Sequence, residues 1–186
     1  MTTQSEAQGA ATTRWAFDPY HTQVEFSAKH LGMMTVRGHF ADVNASGTIY
    51  PDNPEASSVE VTIQTASIRT HNEKRDSDLR TSNFLDAETY PTMTFKSTEV
   101  KATGQDRFSL TGDLTIKGNT KPVTLAVVKY GEFTDPNMGH RIGYSAEGQI
   151  NRKDFGMTFN MMMDGRWMVS DEVQIMIEGE FVEQPA

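Results

Sequence analysis

Residues 108–117 alternate apolar and polar side chains at every position. Phe108, Leu110, Leu114 and Ile116 share one parity, whereas serine, threonine, aspartate and lysine occupy the other. Because successive side chains of a β-strand point to opposite faces, this period predicts a strand with one apolar and one polar face. The same period recurs along most of the chain. The sequence is therefore constrained to fold mainly as antiparallel sheet.

About eight strands are predicted in this way, most of them joined by short turns. They cover residues 24–30, 36–40 with a continuation at 45–50 beyond a bulge, 59–63, 93–97, 108–117, 123–127, 142–150 and 173–181. Residues 15–17 open the structured part, and Gly118-Asn119 is a hairpin signal. The period breaks at residues 71–82, which are charged and predict a short surface helix anchored by Leu79. An Asp76–Arg80 pair with i,i+4 spacing favours that helix.

These strands predict an all-β fold, namely an extended antiparallel eight-stranded barrel with a short helical insertion. Regular spacing is typical of a sandwich or an up-and-down barrel, and eight strands can enclose one small ligand. The 186 residues predict one domain, at residues 14–183. Residues 1–13 are polar and small, and we expect a disordered leader there.

Composition excludes several classes of partner and chemistry. A net charge of −8 without a basic cluster argues against nucleic acid. No apolar run approaches the roughly 18 residues of a membrane helix, so membrane insertion is not expected. The chain has no cysteine and therefore no disulfide or thiol chemistry. Residues 1–13 lack the pattern of a secretory signal, which predicts a cytoplasmic protein.

Several short motifs occur in an order that is hard to obtain by chance. They read DPYHT at 18–22, VEFSAKHLG at 24–32, VRGHF at 36–40, NFLD at 83–86, TFKS at 94–97, GDLTIKG at 112–118, TKPV at 120–123 and NRKDFGM at 151–157. Arg75-Asp76 with Leu79, and Tyr90-Pro91, fall between them in the same order. Over residues 15–182 the chain resembles the YceI-like family, the lipocalin-like polyisoprenoid-binding proteins.

This resemblance implies a lipocalin-like barrel with a long apolar tunnel for an isoprenoid chain or a similar fatty amphiphile. It implies no cofactor other than such a bound isoprenoid. The charged segment at residues 71–80 would be a cover beside the tunnel mouth. His71 and Arg75 could then meet the polar head of the ligand.

Strand parity proposes the side chains that face the barrel interior. From the residues alone, these could fill a solid core or line a hollow, and the resemblance favours the hollow. Small residues at inward parity, such as Ala28, Gly112 and Gly148, also leave volume that another group must occupy. The predicted ligand-binding residues are Phe26, Ala28, His30, Phe40, Val61, Ile63, His71, Arg75, Phe95, Leu110, Leu114, Ile116, Leu125, Phe155, Met161, Met163 and Ile175.

Methionine is abundant, with 11 residues, and several cluster between positions 157 and 176. Flexible, polarisable thioethers suit a pocket that fits an apolar ligand loosely, but they also fill gaps in ordinary cores. The run at residues 161–163 cannot all face inward as a strand, so at least one member must point elsewhere.

Histidines do not predict a metal site. His30 shares the parity of Phe26, whereas His39 is opposite to Phe40, so the two are expected to diverge. Zinc requires three or four convergent ligands. We expect His21 to hydrogen-bond the turn that begins at Asp18.

Two functions remain open from the sequence. The first is non-enzymatic binding, transport or storage of a long apolar amphiphile, a polyisoprenoid or an isoprenoid quinone. The alternative is a small-molecule isomerase or hydrolase that uses His21, His30 or Arg75. The chain lacks a cysteine nucleophile and a Gly-x-Ser-x-Gly elbow. A free sheet edge would let two copies pair, so a homodimer also stays open.

Overall fold

The computed structural model describes residues 14–50 and 53–184, so the expected leader at residues 1–13 lies outside the described part. Within that part the strands are β1 (Arg14–Phe17), β2 (Gln23–His30), β3 (Met34–Phe40), β4 (Val43–Thr48), β5 (Ser58–Gln64), β6 (Ile68–Arg69), β7 (Thr92–Gly104), β8 (Arg107–Ile116), β9 (Asn119–Asp135), β10 (Gly139–Asn151), β11 (Met162–Met163), β12 (Arg166–Trp167) and β13 (Val169–Gln184). The helices are α1 (Glu73–Arg80) and short 3₁₀ turns at Pro54–Ala56, Thr65–Ser67 and Arg152–Phe155. Within the described residues, no helix is both long and apolar enough to cross a bilayer.

The sheet closes on itself. Strand β1 pairs with β4 on one side and with β13 on the other, which completes a ring in the order β1-β4-β5-β7-β8-β9-β10-β13. Each pairing in the ring is antiparallel. The predicted eight-stranded antiparallel barrel with a short helix is therefore confirmed.

Strands β2, β3 and β6 extend the barrel wall at one end. Strand β13 is long enough to pair with β1 through Phe181 and with β2 through Val173 and Ile175. Strand β2 then pairs with β3, and β3 pairs with β6. The chain leaves the ladder between β1 and β2 at Asp18-Pro19, where proline has no N–H to donate. Residues 36–40 and 45–50, predicted to continue one strand beyond a bulge, lie instead in two strands with different neighbours, because β3 pairs with β2 and β6 whereas β4 pairs with β1 and β5.

The turn between β8 and β9 lies one residue earlier than its sequence signal. Ile116 pairs directly with Asn119, so the two-residue turn consists of Lys117 and Gly118. Both have positive φ, 50° and 72°, as a type I′ turn requires. This turn gives the adjacent strands the right-handed twist of the barrel.

Helix α1 lies within the predicted segment, but its polar contacts differ from the prediction. Asp76 does not pair with Arg80. Its carboxylate accepts hydrogen bonds from Thr70, while the Arg80 guanidinium donates to the carbonyls of Ala66 and Ile68, at 2.9 and 3.0 Å. Backbone groups left unpaired by the turn before α1 need partners, and these two side chains supply them.

Strand β9 extends well beyond the predicted residues 123–127, to Asp135. Its far part projects past the closed ring, and both Tyr130 and Phe133 are exposed there. A strand segment that is exposed to solvent on both faces does not need to alternate apolar and polar residues. The alternating pattern therefore stopped at residue 127, before the strand ends. The short β11–β12 hairpin was also not predicted.

Candidate functional site

The interior of the barrel is hollow. It contains a cavity of about 620 Å³ with an almost wholly apolar wall. Phe26, Phe95, Leu110 and Ile175 point inward, yet their side chains are only half-buried, because they border open space. Small-molecule sites in proteins are commonly cavities of 300 to 1,000 Å³ with such linings.

One end of the cavity is closed by a packed cluster of apolar side chains. Helix α1 contributes Leu79, and the segment after it contributes Phe84 and Leu85 to the wall. The buried members of the cluster are Ile68, Leu85, Met93, Ile116, Val123, Leu125, Ala146, Ile150, Phe155 and Met157. This packed apolar cluster forms the closed end of the cavity, which we call its floor.

Arg152 reinforces this floor. Its side chain is 3% exposed, and its guanidinium donates to the carbonyls of Met157, Phe159 and Ser170 at 2.6, 2.8 and 3.0 Å. A further N–H donates to the Asp171 carboxylate at 3.2 Å. Burial lowers the pKa of Arg152, and the Asp171 charge opposes that effect. Its donors are thus committed to the protein itself.

The opposite end of the cavity reaches solvent. Exposed positions contribute to the wall there, including Ser58, Ala102, Gly104 and Asp106. Helix α1 lies at the closed end, so the expected cover at residues 71–80 is not beside this opening. The β7–β8 turn and the start of β5 border this opening.

Polar groups are few at the open end, and two of them face each other across strands. Tyr144 and Lys129 are register partners on β10 and β9, and both line the cavity. The Lys129 ammonium lies 2.7 Å from the Glu132 carboxylate. Burial, followed by the negative charges of Glu132 and Asp106, raises the pKa of Tyr144 to about 12. The phenol is therefore neutral at physiological pH.

Glycines in the wall accommodate side chains from neighbouring residues. A Cβ built on Gly38 would lie 2.5 Å from Cζ of Phe26, and one on Gly148 would lie 2.5 Å from Cδ2 of Leu125. A Cβ built on Gly112 would likewise collide with the ring of Phe95. The sequence predicted that these small residues would leave volume for another group. Side chains of the barrel itself occupy that volume, and they lie against the glycine backbone instead of projecting into the cavity.

Eleven of the predicted ligand-binding residues come together around the cavity. They are Phe26, Ala28, Phe40, Val61, Ile63, Phe95, Leu110, Leu114, Ile116, Leu125 and Ile175. Strand parity identified them because the strands are regular and the barrel is closed. Their contact with a ligand stays a prediction.

The predicted polar residues lie outside the cavity wall. His30 Nδ1 lies 3.0 Å from the carbonyl of Met168. Arg75 is committed to Thr70, with Nε 2.7 Å from its hydroxyl, and His71 is exposed. His30 and Arg75 are thus bonded to other parts of the protein, and neither His71 nor Arg75 borders the cavity in which a polar head was expected to meet them.

Three predicted apolar residues also lie outside the wall. Phe155 is 1% exposed and packs in the closed-end cluster beneath the hollow. Met161 and Met163 are 47% and 50% exposed beside or on the β11–β12 hairpin. Met157 and Met93 are the methionines that border the cavity within the described residues.

Several lining residues were not predicted, although their parity was readable. Tyr144 shares the inward parity of Ile142 and Ala146 on a predicted strand. Phe108 and Phe181 stand at inward positions of predicted strands in the same way. Val59 shares the parity of Val61 and Ile63 on a predicted strand, whereas Phe17, Tyr50, Leu79 and Val100 are among the side chains that only the three-dimensional arrangement brings to the wall.

A polar cluster on the barrel brings three possible metal ligands together. In the described residues, ligand atoms of Asp18, His21 and Glu180 lie within 4.8 Å of one another. The Arg141 guanidinium already binds both carboxylates, with Nη1 at 2.6 Å from Asp18. This is an ion-pair cluster in which a protein cation takes the place that a metal would need.

His21 behaves as expected from the sequence, because its Nδ1 lies 3.0 Å from the Asp18 carboxylate in the turn. Burial acts to raise the pKa of Asp18, but hydrogen bonds from His21, Arg141 and the Tyr20 N–H outweigh it and lower the pKa to about 2. The cluster lies outside the cavity wall. Its geometry stabilises the interruption between β1 and β2.

The sequence of this chain is similar to those of known proteins. The YceI-like domain family matches residues 15–181. A UPF0312 protein of Pectobacterium carotovorum is 39% identical over 182 residues, covering 97% of this chain and 92% of the relative. Protein YceI of Escherichia coli O157:H7 is 42% identical over 164 residues, covering 88% and 83%.

Solved structures share the fold. The crystal structure of Burkholderia cenocepacia BcnA matches with a TM-score of 0.79 and 25% identity, covering 88% of this chain and 98% of that one. A polyisoprenoid-binding domain from Saccharophagus degradans matches with a TM-score of 0.64 over 91% of this chain and 98% of that one. At 15% identity, the second likeness shows the fold alone.

Proposed function

Because this chain belongs to the YceI-like family, we propose that it binds a long apolar amphiphile in the barrel cavity and carries or stores it unchanged. The observation that carries the proposal is the hollow of about 620 Å³ with an apolar wall. The Saccharophagus degradans neighbour is named a polyisoprenoid-binding domain, which supports an isoprenoid chain as the ligand class.

Burial of the tail supplies the binding energy. Each methylene removed from water contributes about 0.8 kcal/mol, so ten carbons contribute about 8 kcal/mol before the tail is ordered. The loss of translational freedom and the ordering of the tail offset part of this gross energy, so ten buried carbons give an affinity weaker than the roughly micromolar value of a net 8 kcal/mol, and longer tails bind more tightly. The branched and aromatic side chains of the wall match a methyl-branched tail in polarity, and an isoprenoid quinone is one member of this class.

Binding is favoured over the alternative of a small-molecule enzyme by the position of the candidate catalytic groups. His21 contacts Asp18, His30 contacts the Met168 carbonyl, and Arg75 contacts Thr70. These three side chains do not converge, and they lie outside the cavity wall. A reacting group inside the hollow would have none of them within reach.

The proposal is tested with delipidated protein and geranylgeraniol, a C20 isoprenoid alcohol, by calorimetric titration and native mass spectrometry. Ala28→Phe places a ring at an inward position of β2, and we expect it to weaken binding at least tenfold. Ala126→Phe is the matched control, because Ala126 is exposed on β9 and is absent from the wall. A wild-type protein that binds no isoprenoid chain, or equal binding by the Ala28→Phe variant, would overturn the proposal.

A further inference from the structure

The cations of the cavity wall are already neutralised. Within the described residues, the wall contains two cationic side chains, Lys129 near the opening and Arg152 at the floor. Lys129 forms an ion pair with Glu132 at 2.7 Å. Arg152 is committed to three carbonyls and to Asp171. A phosphate or carboxylate entering the hollow would therefore meet no unpaired positive charge.

Among the described residues that line the cavity, the other charged side chains are acidic. Asp106 and Glu25 contribute to the lining, and Glu132 adjoins Lys129. An anionic head would lose its hydration and face like charges at the same time, and both effects oppose binding. A neutral head would lose much less.

One hydrogen-bond donor stands unused among these groups. The Tyr144 ring packs edge-on against Phe181, with centroids 6.2 Å apart, and its side chain lines the cavity. Across residues 14–50 and 53–184, no hydrogen bond to its hydroxyl is found, and the hydroxyl is not among the fully enclosed polar atoms without a partner. Because the Tyr144 side chain lines the cavity, a molecule in the open end can reach this accessible hydroxyl. Because the phenol stays protonated, it can donate at any physiological pH.

We infer that the open end of the cavity selects amphiphiles with an uncharged head that accepts a hydrogen bond from the Tyr144 hydroxyl, and rejects phosphate, diphosphate and carboxylate heads. The acceptor can be a carbonyl, ether or hydroxyl oxygen. This inference rests on the proposed function, because the head is held at the opening only when the tail occupies the hollow.

The test compares ligands that share one C20 tail. Geranylgeraniol, geranylgeranyl diphosphate and the corresponding hydrocarbon are titrated into the delipidated full chain at constant salt. We expect the alcohol to bind at least tenfold more tightly than the diphosphate. Tyr144→Phe keeps the ring and removes the hydroxyl, so it should weaken the alcohol roughly threefold to tenfold and leave the hydrocarbon unchanged.

A second variant tests the charge argument from the opposite direction. Glu132→Gln releases the Lys129 ammonium, so the diphosphate should bind several-fold more tightly while the alcohol is unaffected. Glu60→Gln is the control, because it breaks an equivalent pair, 2.7 Å from Lys96, on the exposed outer face. It should change neither affinity.

The outcomes separate this inference from the proposed function. Diphosphate binding as tight as the alcohol, or a Tyr144→Phe variant with wild-type affinity for the alcohol, overturns the inference and leaves tail binding intact. If no ligand of the series binds, including the hydrocarbon, the proposed function itself fails.

Discussion

Thr70 and Asp76 are joined by two hydrogen bonds to a single carboxylate oxygen. The Thr70 N–H and hydroxyl donate to Asp76 Oδ1 at 2.8 and 2.5 Å, and both residues are 2% exposed. Arg75 donates to the same threonine, with Nη2 2.6 Å from its carbonyl. These contacts fix α1 against the barrel and hold Leu79 over the closed end.

Asp76→Ala should therefore destabilise the fold by about 2 to 4 kcal/mol, because it leaves a buried N–H and hydroxyl without an acceptor. Urea unfolding measures the change. Asp78→Ala, an exposed position on the same helix, serves as the control and should stay within about 0.5 kcal/mol of wild type. Equal stabilities for the two variants would contradict this role of Asp76.

Acid stability should depend on Asp18. Its pKa falls from 3.8 to about 2 in the folded protein, so its carboxylate stabilises the fold fully above pH 3.8. That contribution is lost as the pH falls through about 2, because the folded state must then take up a proton. Asp18→Asn should lower stability at neutral pH and flatten the acid limb of the curve.

Denaturant unfolding at a series of pH values measures this effect. Asp164→Asn, in the exposed turn between β11 and β12, is a suitable control and should keep the wild-type slope. An unchanged acid limb in Asp18→Asn would show that Asp18 is not the group responsible.

Gly112→Ala should force the Phe95 ring away from the wall and into the hollow. Overpacking of this kind costs about 1 to 3 kcal/mol, and the displaced ring should also weaken ligand binding. Gly131→Ala is the matched control, because a Cβ there meets nothing within 4 Å. Thermal unfolding and titration with geranylgeraniol report both effects; wild-type values for Gly112→Ala would refute the packing argument.

Methionine oxidation should divide the residues by position. Met33, Met34 and Met162 are 59%, 66% and 58% exposed, whereas Met93 and Met157 are 3% and 7% exposed. Brief peroxide treatment followed by peptide mass spectrometry should find the first three converted to sulfoxide many-fold faster. Comparable rates at Met157 would show that the floor of the cavity opens.

Alternation made the wall of the barrel predictable. Leu110, Leu114 and Ile116 could be placed inward because a half-buried strand must keep its apolar residues on one side. The ring closure also followed from the number of strands and from the family resemblance.

Polar positions were harder to predict, because their roles depend on partners distant in sequence. His30 and Arg75 looked available, yet each is used by a backbone or hydroxyl group that the folded chain brings beside it. Tyr144 was overlooked for the opposite reason. The role inferred for its hydroxyl depends on the lack of a hydrogen-bond partner within the described residues, and no sequence period expresses that.

The hollow has a consequence for the lifetime of the molecule. An empty interior forgoes the dispersion contacts that a filled one would make, so the unoccupied form is the less stable of the two. Any occupant that leaves the denatured chain alone shifts the folding equilibrium by mass action. If the proposed binding holds, proteases would degrade empty copies faster than occupied ones, and the amount of protein would follow the supply of its ligand.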